Sequence, residues 1–152
     1  MTLRYGIIGA GSMGREHIEN IKIMGGATIT AIADPEAKSI EQASAVAGSS
    51  PKQFKDHRAL LDSGLVDAVV IATPNDTHVN VLQDALASDL AVFIEKPLAT
   101  TVEDCKKIIE WEAKRSALTW MGLEYRFMPP VNEVIQRTKA GAVGKEIGRA
   151  HV

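Results

Sequence analysis

Tyr5-Gly6-Ile7-Ile8-Gly9-Ala10-Gly11-Ser12-Met13-Gly14 is the stretch whose reading decides the fold. Its apolar beginning, from Leu3 to Ile8, reads as a short strand, and Gly9, Gly11 and Gly14 then occupy the G-x-G-x-x-G positions at which a tight turn opens a helix. The first glycine permits the turn, the second lets backbone approach a pyrophosphate without a Cβ in the way, and the third lets helix lie close on strand. Negative phosphate would sit on unpaired amides around Ser12 and Met13, at the positive end of the helix dipole. A second apolar run, Ala27 to Ala33, leads about 20 residues after the last glycine to Asp34, whose carboxylate can accept hydrogen bonds from adenosine ribose hydroxyls. Strand, glycines, helix and acid in this order form a dinucleotide-binding fingerprint. The carboxylate would repel a 2′-phosphate, so NAD is the expected cofactor and NADP the less favoured one; Lys38 is close enough in sequence to soften that preference.

The 152 residues, 45% of them hydrophobic, suffice for one ordinary domain with a real core. A formal net charge of -2 gives no general pull toward nucleic acid or an acidic membrane. No apolar run approaches the roughly 20 residues of a membrane span, and the amino terminus runs into a strand without a signal-peptide pattern, so a cytoplasmic location is expected. The single cysteine, Cys105, cannot form an internal disulfide and falls in a helical stretch, as a plain buried or half-buried thiol would. No Cys/His cluster has metal-ligand spacing, and no metal site is expected.

Outward from the fingerprint, apolar runs and helical patterns alternate, which predicts a doubly wound α/β fold, a parallel sheet flanked by helices. Strands are expected near 3–8, 27–33, 52–54, 67–73, 91–95 and 118–123, and helices near 12–24, 36–47, 57–63, 76–88, 101–116 and 130–140. The run from Asp67 to Thr73 is apolar on both faces, as a central strand covered on each side should be. Asn75 or Asp76 is expected to cap the fourth helix, and Thr100 or Thr101, followed by Glu103 and Asp104, the fifth. Right-handed crossovers with the fingerprint on the first strand give the Rossmann order 3-2-1-4-5-6. Residues 145–152 read as the start of a strand with no neighbour, so the chain is expected either to be part of a longer protein or to pair its tail with something outside it.

Three further motifs fall at the carboxyl ends of strands, where doubly wound sheets bind ligands. Thr73-Pro74-Asn75-Asp76-Thr77-His78 leaves the fourth strand, and on its own reads first as a Pro-Asn turn with a helix cap. Glu95-Lys96-Pro97 leaves the fifth, where an acid beside a base is either a solvated ion pair or a pair of groups aimed at a ligand. Tyr125-Arg126-Phe127-Met128-Pro129-Pro130 leaves the sixth, where prolines also serve simply to close an exit into a helix.

Taken together, G-x-G-x-M-G at 9–14, A-D-P at 33–35, T-P-N-x-x-H at 73–78, E-K-P at 95–97 and R-F-x-P at 126–129 resemble the Gfo/Idh/MocA family of oxidoreductases. The resemblance covers the whole chain. It implies NAD(P)-dependent chemistry on a sugar, polyol or related hydroxy compound, with a Rossmann domain at 1–124 and, at 125–152, a linker helix and the start of a truncated substrate domain. On this resemblance Lys96 is the catalytic residue, near the nicotinamide ribose and the reacting hydroxyl, where an ammonium can hydrogen-bond a developing alkoxide. Gly9, Gly11, Ser12, Met13, Gly14, Asp34, Thr73 and Pro74 are expected to hold cofactor, Asn75 and His78 to line its nicotinamide side, Glu95 to contact or orient that region, and Arg126 to stand at the mouth between domains. The family's usual acid/base histidine would fall beyond Val152. His17 is expected to face sheet or solvent from an amphipathic helix, and His57 and His151 to be ordinary loop and tail residues. Glu124 and Tyr125 depart from the family's commoner residues before R-F, which leaves the substrate side open.

The complete protein is therefore expected to be a dehydrogenase, with this chain alone not catalytically competent and open to self-association through its exposed C-terminal segment. A non-enzymatic dinucleotide-binding or sensor module is the alternative. A Rossmann-like methyltransferase fits less well, because three glycines with a ribose-binding acid suit a dinucleotide.

Overall fold

The computed structural model describes residues 2–144 and sets the six expected strands in one parallel sheet. In chain order the elements are β1 (Leu3–Ile8), α1 (Ser12–Met24), β2 (Ala27–Ala33), α2 (Ala37–Ala47), β3 (Lys52–Phe54), α3 (His57–Leu61), β4 (Ala68–Ile71), α4 (His78–Leu86), β5 (Ala91–Glu95), α5 (Val102–Glu112), β6 (Thr119–Gly122) and α6 (Pro129–Lys139). Short 3-10 turns at Asn75–Thr77 and Glu124–Phe127 precede α4 and α6. The strand order is β3-β2-β1-β4-β5-β6, as the Rossmann reading expects. After β3 the chain crosses back over β1 to start β4, so β1 and β4 are neighbours and a crevice opens beyond their carboxyl ends.

Period-two alternation decides which side chains meet which helices. Ile8, Ala33, Val69 and Ile71 face one layer with Leu60 of α3, Leu82 and Ala85 of α4 and Ile108 of α5. Ile7, Ile32 and Val70 face the other, with Ile18 and Ile21 of α1 and Ile40 and Ala43 of α2. Because both faces of β4 and of the carboxyl half of β1 are buried, these stretches are apolar rather than alternating. At the amino ends, Arg4 ties β1 to the start of β4 through Asp67, with Nη2 2.6 Å from Oδ1 and the Arg4 backbone amide 2.9 Å from Oδ2. The Arg4 side-chain and backbone hydrogen bonds hold the Asp67 carboxyl below the ordinary carboxylate value.

Several boundaries differ from expectation, and the main differences have local reasons. β4 is shorter than the 67–73 run, because Asp67 is occupied with Arg4 and the chain past Ile71 turns away once the Ala72 amide has bonded the Ile8 carbonyl at 2.8 Å. Neither Asn75 nor Asp76 caps α4; the 3-10 turn Asn75–Thr77 runs into the helix, and Thr77 stands at the N-cap without a side-chain cap bond. Thr101 does cap α5, its Oγ1 accepting from the Asp104 amide at 3.1 Å. That helix stops at Glu112 rather than 116, and Arg115 instead reaches the carbonyls of Ser88, at 3.1 Å, and Leu90. Cys105 is half-buried, as expected of a plain thiol.

The chain divides into two compact units, Met1–Gly122 and Leu123–Val152. The sheet and α1 to α5 lie in the first. In the second, Met128 precedes α6 in extended backbone, Pro129 begins the helix where a missing amide costs nothing, and no residue of the helix is buried. Arg137 and Glu133 pair along its surface at 2.7 Å. The expected strand at 145–152, with His151, lies outside the described residues.

Candidate functional site

The carboxyl ends of β1 and β2 make the first part of the site out of backbone. Gly9 turns the chain with φ +93°, and a Cβ there would lie 2.5 Å from the Ala72 carbonyl oxygen, so only glycine fits. Gly14 has no more room: its Cβ would stand 2.0 Å from the Gly9 carbonyl oxygen. Gly11 is the opposite case, for a Cβ there would meet nothing within 4 Å. Two glycines are walled in by their own fold and the third faces open space, the arrangement a pyrophosphate cradle requires.

The first α1 amides, at Ser12, Met13 and Gly14, begin the helix and have no carbonyl one turn earlier to bond, since the Arg15 amide makes the first such bond, to the Gly11 carbonyl at 3.1 Å. Asp34 is fixed beside them. Its Oδ2 accepts from the Ala10 amide at 2.7 Å and its Oδ1 from the Glu36 amide at 2.8 Å. Each oxygen keeps a further lone pair for a ligand hydroxyl. Gly11, Ser12, Met13, Asp34, Thr73 and Pro74 all line one cleft of about 360 Å³. These residues fit a dinucleotide: amide donors for phosphate and a carboxylate acceptor for ribose along one cleft.

The second part stands at the ends of β4 and β5 and is made of side chains. Thr73 lies with its Oγ1 2.8 Å from Thr77 Oγ1, and Asn75 is exposed in the 3-10 turn. Glu95 is only 8% exposed, and each of its carboxylate oxygens accepts one hydrogen bond. His17 of α1 donates from Nε2 to Oε1 at 2.8 Å, and the Lys96 amide donates to Oε2 at 3.2 Å. Lys96 itself is exposed, and among the described residues its ammonium forms no ion pair.

His78 corrects the expectation that it lines the cleft. It is 0% exposed, at the first turn of α4, with Nδ1 2.8 Å from the Pro97 carbonyl and Nε2 3.0 Å from the Thr73 carbonyl. The ring is a strut between the two loops that leave β4 and β5. Both partners are acceptors only, so a neutral imidazole donates to one of them at a time. The reason is local: the 3-10 turn at Asn75–Thr77 carries the chain over the strand end and points the next side chain inward.

His17 is the residue the sequence reading missed. It does face the sheet, edge-on to Phe93 at a centroid distance of 5.0 Å, but it also holds a carboxylate at the ligand end. A signal was present, since Gly14, Ile18 and Ile21 form the buried stripe of α1 and His17 falls on its margin, where a polar ring needs a partner. His57, read as a loop residue, begins α3 and bonds Asp84 of α4 at 2.7 Å. Arg126 lies exposed in the Glu124–Phe127 turn of the second unit. Among the described residues no His, Cys, Asp and Glu grouping is arranged to hold a metal. A hollow of about 430 Å³ lined by Ser88, Trp111 and Arg115 lies at the amino ends of β5 and β6, away from both parts of the site. Its arginine is spent on backbone carbonyls.

Comparison with known proteins bears on this geometry. The family described as "Oxidoreductase family, NAD-binding Rossmann fold" matches residues 3–123. Inositol 2-dehydrogenase 3 of Saccharopolyspora erythraea is 35% identical over 147 residues, 95% of this chain and 43% of that protein. The rhizopine catabolism protein MocA of Rhizobium meliloti is 32% identical over 141 residues, 93% of this chain and 44% of that protein. Among solved structures, myo-inositol dehydrogenase from Lactobacillus casei in complex with NAD(H) and myo-inositol superposes with a TM-score of 0.87 at 30% identity, over 95% of this chain and 43% of that one. The chain thus spans less than half the length of these relatives.

Proposed function

The chain belongs to the Gfo/Idh/MocA oxidoreductase family, and from that membership we propose that it is the cofactor-holding part of a dehydrogenase acting on a sugar, polyol or similar hydroxy compound, with cyclitols the first to assay. It carries an NAD-binding Rossmann domain. The observation that carries the proposal is the contrast at the turn: Gly9 and Gly14 closed by backbone, Gly11 open, and Asp34 held by the Ala10 amide beside the opening.

On this reading the amides of Ser12 and Met13 take the pyrophosphate and Asp34 takes the adenosine ribose, while Thr73, Pro74 and Asn75 border the nicotinamide side. Bound NAD supplies the hydride acceptor. Lys96 hydrogen-bonds the substrate oxygen and steadies the negative charge that develops there. Glu95 and His78 act on Lys96 from behind rather than on the ligand. Residues 1–124 form the dinucleotide-binding domain, and 125–152, with Arg126, form a linker helix and the approach to a substrate domain. We place the protein in the cytoplasm, working on small molecules rather than nucleic acid or membrane, and able to self-associate through its exposed C-terminal segment. Among the described residues no helix is long and apolar enough to cross a membrane.

Titration of the chain with NADH and NADPH, followed by fluorescence, tests the proposal. NADH is expected to bind more tightly, and Asp34→Ser to narrow or reverse the preference; tighter NADPH binding by the unmodified chain would contradict it.

A further inference from the structure

The Glu95–Lys96–Pro97 segment is gripped at both ends, and the grip on its first residue comes from a distant helix. Glu95 is buried, and a buried carboxylate needs partners. It has one for each oxygen: His17 Nε2 at 2.8 Å on Oε1 and the Lys96 amide at 3.2 Å on Oε2. The His17 ring is in turn set edge-on against Phe93 of the same strand. Space for this arrangement is made by Gly122 of β6, where a Cβ would lie 2.9 Å from Phe93 Cζ and 3.3 Å from Glu95 Oε1. Three elements therefore converge on one carboxylate whose second oxygen is directed at the Lys96 backbone.

We propose that His17 is a positioning residue for Lys96, acting through Glu95: it fixes the carboxylate that fixes the Lys96 amide, and so sets the direction in which the Lys96 side chain leaves the strand. The proposal rests on the reading of Lys96 as a group on the nicotinamide side. Facing a carboxylate, the His17 ring carries its proton on Nε2, a donor that a glutamine amide can reproduce and a leucine cannot. Among the described residues the His17 side chain hydrogen-bonds Glu95 rather than the glycine turn or Asp34, so its loss should leave the adenosine half of the site as it is.

The test uses the whole 152-residue chain with 13C-methylated lysines, Lys96 being identified by the signal lost in Lys96→Arg. In the unmodified chain and in His17→Gln, saturating NADH should shift the Lys96 signal to the same extent. In His17→Leu, NADH should still bind with a Kd within about threefold of the unmodified value, as expected for separated sites, while the Lys96 shift falls to half or less. Glu95→Gln, which turns an amide NH2 toward one of its two donors, should reduce the shift in the same way and serves if His17→Leu does not fold. A Lys96 shift unchanged in a folded His17→Leu or Glu95→Gln chain overturns the positioning role and leaves the Lys96 reading standing. No Lys96 shift in the unmodified chain, with NADH bound, overturns that reading and the positioning role with it. A change in melting temperature alone would not move this readout, which separates positioning from mere support.

Discussion

The glycine turn at Gly9–Gly14 and the Glu95–Lys96–Pro97 segment stand at the same edge of one sheet and are built by opposite means. The turn is made of backbone: its shape comes from residues that lack a Cβ, and its glycines, its helix amides and Asp34 lie close together in sequence around one strand-helix-strand unit. The β5 end is made of buried side chains brought from far along the chain, His17 to Glu95 across 78 positions and His78 to Pro97 across 19. A backbone cradle suits a ligand group that never changes, such as a pyrophosphate. A side-chain assembly suits an atom that must be aimed, and it can be retuned one residue at a time.

The contrast predicts where each region breaks. Gly14→Val drives carbon into the Gly9 carbonyl and should cost roughly 3 kcal/mol or more of stability, at the upper end for overpacking, because neither strand nor helix can yield. His78→Ala should cost somewhat less, about 2–3 kcal/mol, through the cavity and the loss of the one donor that the two carbonyls share. Chemical denaturation of the two variants checks the order; a Gly14→Val chain as stable as the parent would mean that the turn is not closed by backbone.

Legibility in the sequence followed the same line. All six strands and their order could be read, because the central strands leave an apolar signal and right-handed crossovers admit few topologies. Gly9, Gly11, Gly14 and Asp34 could be read because their spacing is local. The His17–Glu95 pair could not, since nothing in either neighbourhood points to the other. His78 was assigned to the cleft because its motif is adjacent to the loop, whereas a single 3-10 turn rotates it into the interior.

A smaller effect sharpens the comparison from outside the site. Asp67 has its carboxyl lowered in the folded chain by the hydrogen bonds from Arg4, so the stability it contributes is fully present above the ordinary carboxylate value and is lost as pH falls through the lowered native one. The stability difference between the chain and Asp67→Asn should therefore be constant near neutrality and close below about pH 4, while NADH affinity, measured near neutrality, stays unchanged. A gap that does not narrow at all as pH falls through and below the ordinary carboxylate range would place the contribution of Asp67 elsewhere than in its charge.

The central claim is that the backbone turn binds the dinucleotide and the β5 end serves the reacting atoms. Calorimetric titration of NADH into Gly11→Val and Lys96→Ala, both checked for intact circular dichroism, tests it most directly. Gly11→Val fills the open side of the turn and is expected to weaken binding by at least about tenfold, some 1.4 kcal/mol, while Lys96→Ala stays within about threefold of the parent. Equal losses in the two folded variants would contradict the separation of roles.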